Sequence, residues 1–69
     1  MKKEDILIKF GIRIKELRLK NSWSQDELAV KSGFHRTYIG MIERAERNIS
    51  LRNIEKLANT FNINIKELF

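Results

Sequence analysis

The sequence predicts a single all-α domain, and three features of the chain support this prediction. Its 69 residues suffice for one domain only. Proline is absent and only three glycines occur, whereas Leu, Ile, Lys, Glu and Arg dominate, which is typical of helical proteins. Apolar residues recur at helical spacing between short polar segments. We therefore expect one compact five-helix domain over residues 1–69.

The small size of the chain limits what can stabilise and equip it. A domain of this length buries only about 60% of its unfolded surface, so its stability is expected to be marginal. There is no cysteine, which excludes disulfides and thiolate metal sites. Because His35 is the single histidine, no transition-metal site is expected either. We predict no cofactor and no small-molecule ligand, and expect helix capping and association with a second copy to stabilise the domain.

The charge of the chain indicates an anionic partner. The formal net charge is +5, and the isoelectric point is near 9.9. The basic residues are spread along the sequence, so a folded surface has to gather them. At this stage both nucleic acid and an anionic membrane surface remain open. No apolar run approaches the roughly 20 residues that span a bilayer, and the N-terminus lacks a signal-peptide core, so we expect a cytoplasmic protein.

The first helix is predicted from about Asp5 to Lys20, where apolar and basic residues alternate at helical spacing. Asn21 and Ser22 are expected to end it. Its apolar stripe is wide, because a flanking apolar pair accompanies the main row. The residues of the main row are Phe10, Ile14 and Leu17, and those of the flanking pair are Ile8 and Ile12.

The second helix has clear start and stop signals. Ser24 and Glu27 have the spacing of a capping box, in which each side chain accepts a hydrogen bond from the other residue's backbone amide. Leu28 and Ala29 are expected to face inward. Gly33 ends the helix, because glycine readily adopts the left-handed conformation of a helix C-terminus.

Three further helices are predicted after the glycine turn, each preceded by a residue that can cap a helix N-terminus. Residues 45–49 form a polar loop between the third and fourth helices, and Asn62 ends the fourth. Glu67 completes a second capping box for a short last helix, residues 65–69. The expected caps are His35, Ser50 and Asn64; the expected inward residues are Ile39 and Ile42 in the third helix and Leu51, Ile54, Leu57, Ala58 and Phe61 in the fourth.

Residues 25–44 have the pattern of a helix-turn-helix motif. Ala29 is small where two helices must cross closely, Gly33 permits a tight turn, and Phe34 fills the angle between the helices. The opposite face of the third helix is polar at its N-terminus, as required of a helix that enters the DNA major groove tip first. Its outward residues are Arg36, Thr37, Gly40, Met41 and Arg44.

The chain matches one known class at Gly-Ile-Arg-Ile-Lys-Glu-Leu-Arg (11–18), Trp-Ser-Gln-Asp-Glu-Leu-Ala (23–29), Gly33 and Ile-Glu-Arg (42–44). On these residues it resembles the Cro/phage-repressor class of helix-turn-helix proteins, the XRE family, over essentially its whole length. The resemblance implies a lambda-repressor-like fold that binds double-stranded DNA.

A narrower resemblance rests on His-Arg-Thr-Tyr-Ile (35–39) and Glu-Arg-Ala-Glu-Arg-Asn-Ile-Ser (43–50). These segments resemble the controller proteins of restriction–modification systems. The resemblance implies a homodimeric transcription regulator on a palindromic operator, with half-sites about 34 Å apart. RNA polymerase is a further candidate partner if the protein activates transcription.

The resemblance also implies roles for individual residues. Gln25 donates to a phosphate, Arg36 and Thr37 contact bases, Tyr38 meets the DNA backbone, and Arg47 contacts bases or phosphates. Arg36 is the candidate for a bidentate contact with guanine. The full set expected at the DNA is Gln25, His35, Arg36, Thr37, Tyr38, Met41, Arg44, Arg47, Asn48 and Ser50.

Two further sets follow from the resemblance. Arg18 and Glu43 are expected to form a partly buried ion pair between the first and third helices rather than an acid–base pair. The dimer contact is expected at the last two helices. Its residues are Phe61, Ile63, Ile65, Leu68 and Phe69, although Ile65, Leu68 and Phe69, like Ile8 and Ile12, could instead complete the core.

Two positions depart from the commoner pattern of the class. Met41 stands where many relatives carry a polar residue, and it either touches a thymine methyl or is a tolerated surface residue. Gly40 is a poor helix former, at roughly 1 kcal/mol below alanine, and could permit a close backbone approach.

Two other functions would use different features of the sequence. An antitoxin or another protein-interaction module with autoregulatory DNA binding is the alternative, although a recruiting tail would be expected of it. A membrane-surface peptide would use the amphipathic first helix, but leaves the Gly33 turn unexplained. An enzyme is not expected, because the sequence offers no nucleophile–base pair or carboxylate dyad.

Overall fold

The computed structural model describes residues 3–69, and within them the chain is helical without strands. The elements are α1 (Lys3–Lys20), α2 (Gln25–Ser32), α3 (Arg36–Glu43), α4 (Leu51–Phe61) and a C-terminal 3₁₀ turn (Ile65–Leu68). The predicted all-α class is confirmed for this part of the chain. In the same residues no helix is long and apolar enough to cross a membrane.

The last of the five predicted helices forms as a 3₁₀ turn, so the structure has four α-helices and this turn rather than five clear helices. The Glu67 backbone amide donates to the Asn64 backbone carbonyl at 2.9 Å. A hydrogen bond between residues three apart is the pattern of a 3₁₀ turn. The Asn64 amide donates to the Glu67 carboxylate at 2.9 Å, so the expected capping contact forms. So few residues gain too little from helix propagation to offset nucleation. Instead, the fully buried Leu68 anchors the turn to the core.

The boundaries of α2 are those the sequence predicts. Ser24 Oγ accepts from the Glu27 amide at 3.0 Å, and the Ser24 amide donates to the Glu27 carboxylate at 2.9 Å. Gly33 has φ +78°, the left-handed conformation, and its amide donates to the Ala29 carbonyl at 2.9 Å. The tight turn into α3 is therefore specified by local sequence.

The cap positions of the later helices agree with the sequence. Ser50 Oγ accepts from the Asn53 backbone amide at 3.2 Å. Asn62 ends α4 with φ +57°. His35 occupies the N-cap position of α3, but its side chain makes no capping hydrogen bond. The predicted N-cap position is therefore confirmed, although the helix gains no side-chain hydrogen bond from this residue. Its exposed imidazole is left at the tip of α3.

One apolar core holds the helices together, and each helix contributes to it. Ile14, Leu28, Ile39 and Leu57 are wholly buried, and burial of such a side chain stabilises a fold by about 1.5–3 kcal/mol. The main apolar row predicted for α1 and the inward residues predicted for α2 and α3 all lie in this cluster. Its members are Phe10, Ile14, Leu17, Leu28, Ala29, Ile39, Ile42, Leu57, Ala58, Phe61 and Leu68.

Some apolar residues lie outside the core. Leu51 was expected to face inward but is 75% exposed, so that prediction is wrong. Leu51 occupies the first position of α4, at the edge of the apolar stripe. Ile54, one turn further along the helix, is half-buried. Ile8 and Ile12 are both about half exposed, because they lie on the side of α1 opposite Phe10 and the rest of the core row.

Gly11 allows α1 and α3 to approach at backbone distance. A Cβ at this position would lie 2.5 Å from the Ile42 carbonyl oxygen and 2.8 Å from that of Glu43. No side chain fits such a gap without separating the two helices. The distance between α1 and α3 therefore depends on this glycine.

Candidate nucleic-acid interface

The two helices of the motif are fixed to each other by apolar contacts and an aromatic pair. Leu28 and Ala29 of α2 and Ile39 of α3 are buried in the shared core. Phe34, in the turn, meets Tyr38 edge to face, with ring centroids 5.0 Å apart and planes at 69°. This packing fixes α3 against α2 and leaves the residues at its N-terminus exposed.

The outward face of α3 and its two caps carry five of the ten residues expected at the DNA. His35, Arg36 and Thr37 are exposed together at its N-terminus, Met41 is half-buried, and Arg44 is exposed. The exposed N-terminal residues offer hydrogen-bond donors of the kind that contact base edges and phosphates. The structure therefore brings the candidate base-contacting residues to one helix tip.

Arg36 is paired within the chain. Its Nε lies 3.0 Å from Oδ1 of Asp26, in the first turn of α2, and the two side chains are 64% and 72% exposed. The pair links the first turns of the two helices that form the motif. Sequence reasoning did not single out Asp26, since only the fold brings it to Arg36.

Gly40 makes room for a side chain of its own helix. A Cβ there would lie 2.9 Å from Nη1 of Arg44, so the guanidinium of Arg44 folds over the glycine. Arg44 Nε also lies 3.1 Å from Oε2 of Glu46, in the following loop. Within the described chain, the neighbour of Gly40 is thus a side chain of its own helix and not a second backbone.

Tyr38 connects α3 to the loop and to α4. Its hydroxyl accepts a hydrogen bond from Asn53 Nδ2 at 3.0 Å. The guanidinium of Arg47 lies over its ring, 5.7 Å from the centroid, so the ring orients this arginine. The neighbouring Asn48 and Ser50 are exposed, and Ser50 also caps α4. Asn53 was missed by sequence reasoning, which treats α4 as a packing helix.

A buried ion pair joins α1 to the last residue of α3. Arg18 Nε donates to Glu43 Oε2 at 2.7 Å, and Nη2 donates to Oε1 at 2.9 Å. Gln25 Nε2 donates to the same Oε1 at 3.1 Å. Hydrogen bonding to Glu43 raises the pKa of Arg18 above its ordinary value, against the opposing effect of burial. Gln25, expected at a phosphate, is thus also held by the carboxylate at the end of α3.

The residues expected at a dimer contact separate into two groups. Phe61 and Leu68 are buried inside the protomer, so they support its core and have little surface to offer a partner. Ile63 is half-buried, and Ile65 and Phe69 are exposed. Beside Ile65 lies the exposed Leu51, with which it lines a shallow apolar depression rimmed by Arg52 and Glu55.

Comparison with known families identifies this arrangement. The helix-turn-helix family matches residues 14–68, most of the described chain. The chain belongs to this family. The predicted class is confirmed, and the chain is a helix-turn-helix DNA-binding regulator that resembles restriction–modification controller proteins.

Three relatives define the resemblance. The control protein C.BamHI of Bacillus amyloliquefaciens is 43% identical over 65 residues, which are 93% of this chain and 80% of that protein. The crystal structure of the controller protein C.AhdI of Aeromonas hydrophila superposes with a TM-score of 0.90 and 49% identity, covering 94% of this chain and 98% of that one. The controller protein C.Esp1396I, solved as a tetramer with its natural 35-base-pair operator, gives a TM-score of 0.79 at 34% identity, covering 90% and 92%.

Proposed function

We propose that the protein is a homodimeric controller that binds a palindromic operator through the N-terminus of α3 and regulates transcription. The observation that carries this proposal is the exposed cluster of His35, Arg36 and Thr37 at the tip of a helix fixed by the Gly33 turn. With a net charge of +5, the chain would be attracted to any DNA duplex, and the helix tip would add sequence selectivity.

The relatives support this function. C.AhdI and C.Esp1396I are restriction–modification controller proteins, and the latter was solved as a tetramer on operator DNA. A protein that acts on operator DNA in this way would function in the cytoplasm. Contact with RNA polymerase would be needed for activation, and we assign no residues to it.

The Arg36→Ala variant is expected to lose selectivity for the operator while keeping most of its affinity for random duplex. A bidentate contact from arginine to guanine is worth about 1–3 kcal/mol, or roughly 5- to 150-fold, at each half-site. Gel shifts on DNA from upstream of the protein's own gene, measured against random duplex over a salt series, test this expectation.

A matched control for this variant is Lys15→Ala, which removes one positive charge from the exposed surface of α1. If Arg36→Ala binds the upstream DNA as tightly as the parent, Arg36 does not contact a base. If the parent prefers no duplex over random DNA, the sequence-specific function is wrong. A steep salt dependence by itself shows only phosphate contact.

The dimer is proposed to form around Leu51 and Ile65, with Phe69 at its edge and Ile63 partly accessible. Leu51→Glu is expected to convert a dimer into a monomer, because it introduces a charge into an apolar contact without disturbing the protomer core. Light scattering after gel filtration measures the change.

The control for the dimer is Leu19→Glu, which places the same charge on the exposed side of α1. It is expected to leave the dimer intact. Loss of the dimer in Leu19→Glu but not in Leu51→Glu would move the interface to α1 and contradict the assignment.

A further inference from the structure

We propose that Asp26 is a positioning residue for Arg36 and gives the protein part of its selectivity for one DNA sequence over another. The inference rests on the proposed function, in which Arg36 contacts a base. It adds that an acidic side chain within the DNA-binding surface controls how this arginine is presented.

The geometry of the pair supports a positioning role. Asp26 Oδ1 lies 3.0 Å from Arg36 Nε, the guanidinium nitrogen nearest the backbone. Among the described residues Asp26 is the one ion-pair partner of Arg36, and the contact is an ion pair rather than a directed hydrogen bond. A guanidinium carries five donors in one plane, and a carboxylate beside Nε attracts that end of the group while the terminal donors remain for a base edge.

Asp26 restricts the rotation of the Arg36 side chain, and that rotation would weaken selectivity for one DNA sequence. A long exposed arginine can rotate away from a base and bind any nearby phosphate. A carboxylate beside it neutralises part of its attraction to phosphates, and it also repels them directly. Both effects disfavour random duplex. Only a duplex with guanine at the right position offers the oriented guanidinium a bidentate partner.

The ion pair between Asp26 and Arg36 is too exposed to have a large role in folding. The two side chains are 64% and 72% exposed, and ion pairs at such positions contribute little to folding. Asp26 is not part of the α2 capping box, which is formed by Ser24 and Glu27. Substitution of Asp26 is therefore expected to change DNA binding much more than folding.

The test compares Asp26→Asn, which keeps the shape but removes the charge, with Asp26→Glu, which keeps a carboxylate. Glu16→Gln is the matched control, because it changes the net charge equally on α1, where Glu16 pairs with Arg13 at 3.5 Å. The probes are a consensus duplex that the parent protein selects from a random-sequence library and a scrambled duplex of the same length. Fluorescence anisotropy gives Kd for each, and thermal unfolding checks each fold.

Asp26→Asn is expected to bind the scrambled duplex about three- to tenfold more tightly and to lose about five- to tenfold of the consensus-to-scrambled ratio. Asp26→Glu is expected to recover part of that ratio, and Glu16→Gln to leave it unchanged. In an Arg36→Ala background, Asp26→Asn should no longer change the ratio.

The inference is overturned if Asp26→Asn keeps the consensus-to-scrambled ratio of the parent protein. This includes the case in which the affinities for both duplexes rise by the same factor, as a simple charge effect would require. An equal loss of the ratio in the Arg36→Ala background also overturns it, because Asp26 would then act independently of Arg36. If the parent selects no consensus duplex at all, the proposed function itself fails. The two failures are thus distinguishable.

Discussion

Replacing Glu43 with alanine is expected to destabilise the protein by about 3–5 kcal/mol, because it leaves a buried guanidinium without its counter-charge. A domain of this length has a free energy of unfolding of roughly 3–10 kcal/mol in total. The substitution is therefore expected to remove a large part of the stability of the fold.

The contacts of Glu43 explain the size of this effect. The side chains of Arg18 and Glu43 are only 9% and 4% exposed. The carboxylate accepts two hydrogen bonds from Arg18 and one from Gln25. Without it, Arg18 retains one protein partner among the described residues, the Trp23 carbonyl at 3.0 Å. Water cannot readily replace the lost contacts at a site so far removed from solvent.

The pH dependence of this contribution has a definite sign. Because pairing with Glu43 raises the pKa of Arg18 above its unfolded value, the stabilisation is present below the unfolded pKa. It is lost only as the pH rises through the raised folded value. The pair is therefore expected to stabilise the domain without a change traceable to Arg18 near neutral pH.

Thermal and urea unfolding followed by circular dichroism measure the effect. The matched control is Glu16→Ala, since Glu16 is a largely exposed carboxylate on α1, and it is expected to change stability by less than about 0.5 kcal/mol. An Arg18→Met, Glu43→Leu double variant should recover much of the loss, because it removes both charges. A loss below about 1 kcal/mol in Glu43→Ala would contradict the buried-pair explanation.

Local chemistry explains why much of the fold was predictable. The Ser24 capping box and the left-handed conformation of Gly33 depend on residues a few positions apart, and both were predicted correctly. Helix periodicity likewise identified buried residues such as Ile14 and Ile39. These signals do not require knowledge of how the helices pack.

The errors arose where packing between distant segments decides the outcome. Leu51 and Leu68 are both apolar and near helix ends, yet the former is exposed and the latter fully buried. Gly11 permits backbone contact with α3, but its sequence neighbours do not reveal that contact. Asp26 and Asn53 hold residues of the binding surface, and only the folded chain brings them there.

Replacing Leu28 with alanine is expected to destabilise the protein by about 2–5 kcal/mol, because Leu28 is wholly buried between the helices of the motif. The loss combines the reduced apolar burial with the cavity that remains. In a domain of this size, Tm falls by about 4–8 °C for each kcal/mol. The variant also tests whether DNA binding requires the rigid angle between α2 and α3, since its operator affinity can be measured at a temperature where it is still folded.

Val30→Ala is the matched control, because Val30 lies two residues further along α2 and is 83% exposed. Its stability is expected to change by less than about 0.5 kcal/mol. If Leu28→Ala remains as stable as Val30→Ala, the core does not hold α2 against α3 as described. If folded Leu28→Ala loses operator affinity but keeps its affinity for random duplex, the angle between the helices controls base contact. Phosphate contact alone would tolerate the change, because many surface charges contribute to it.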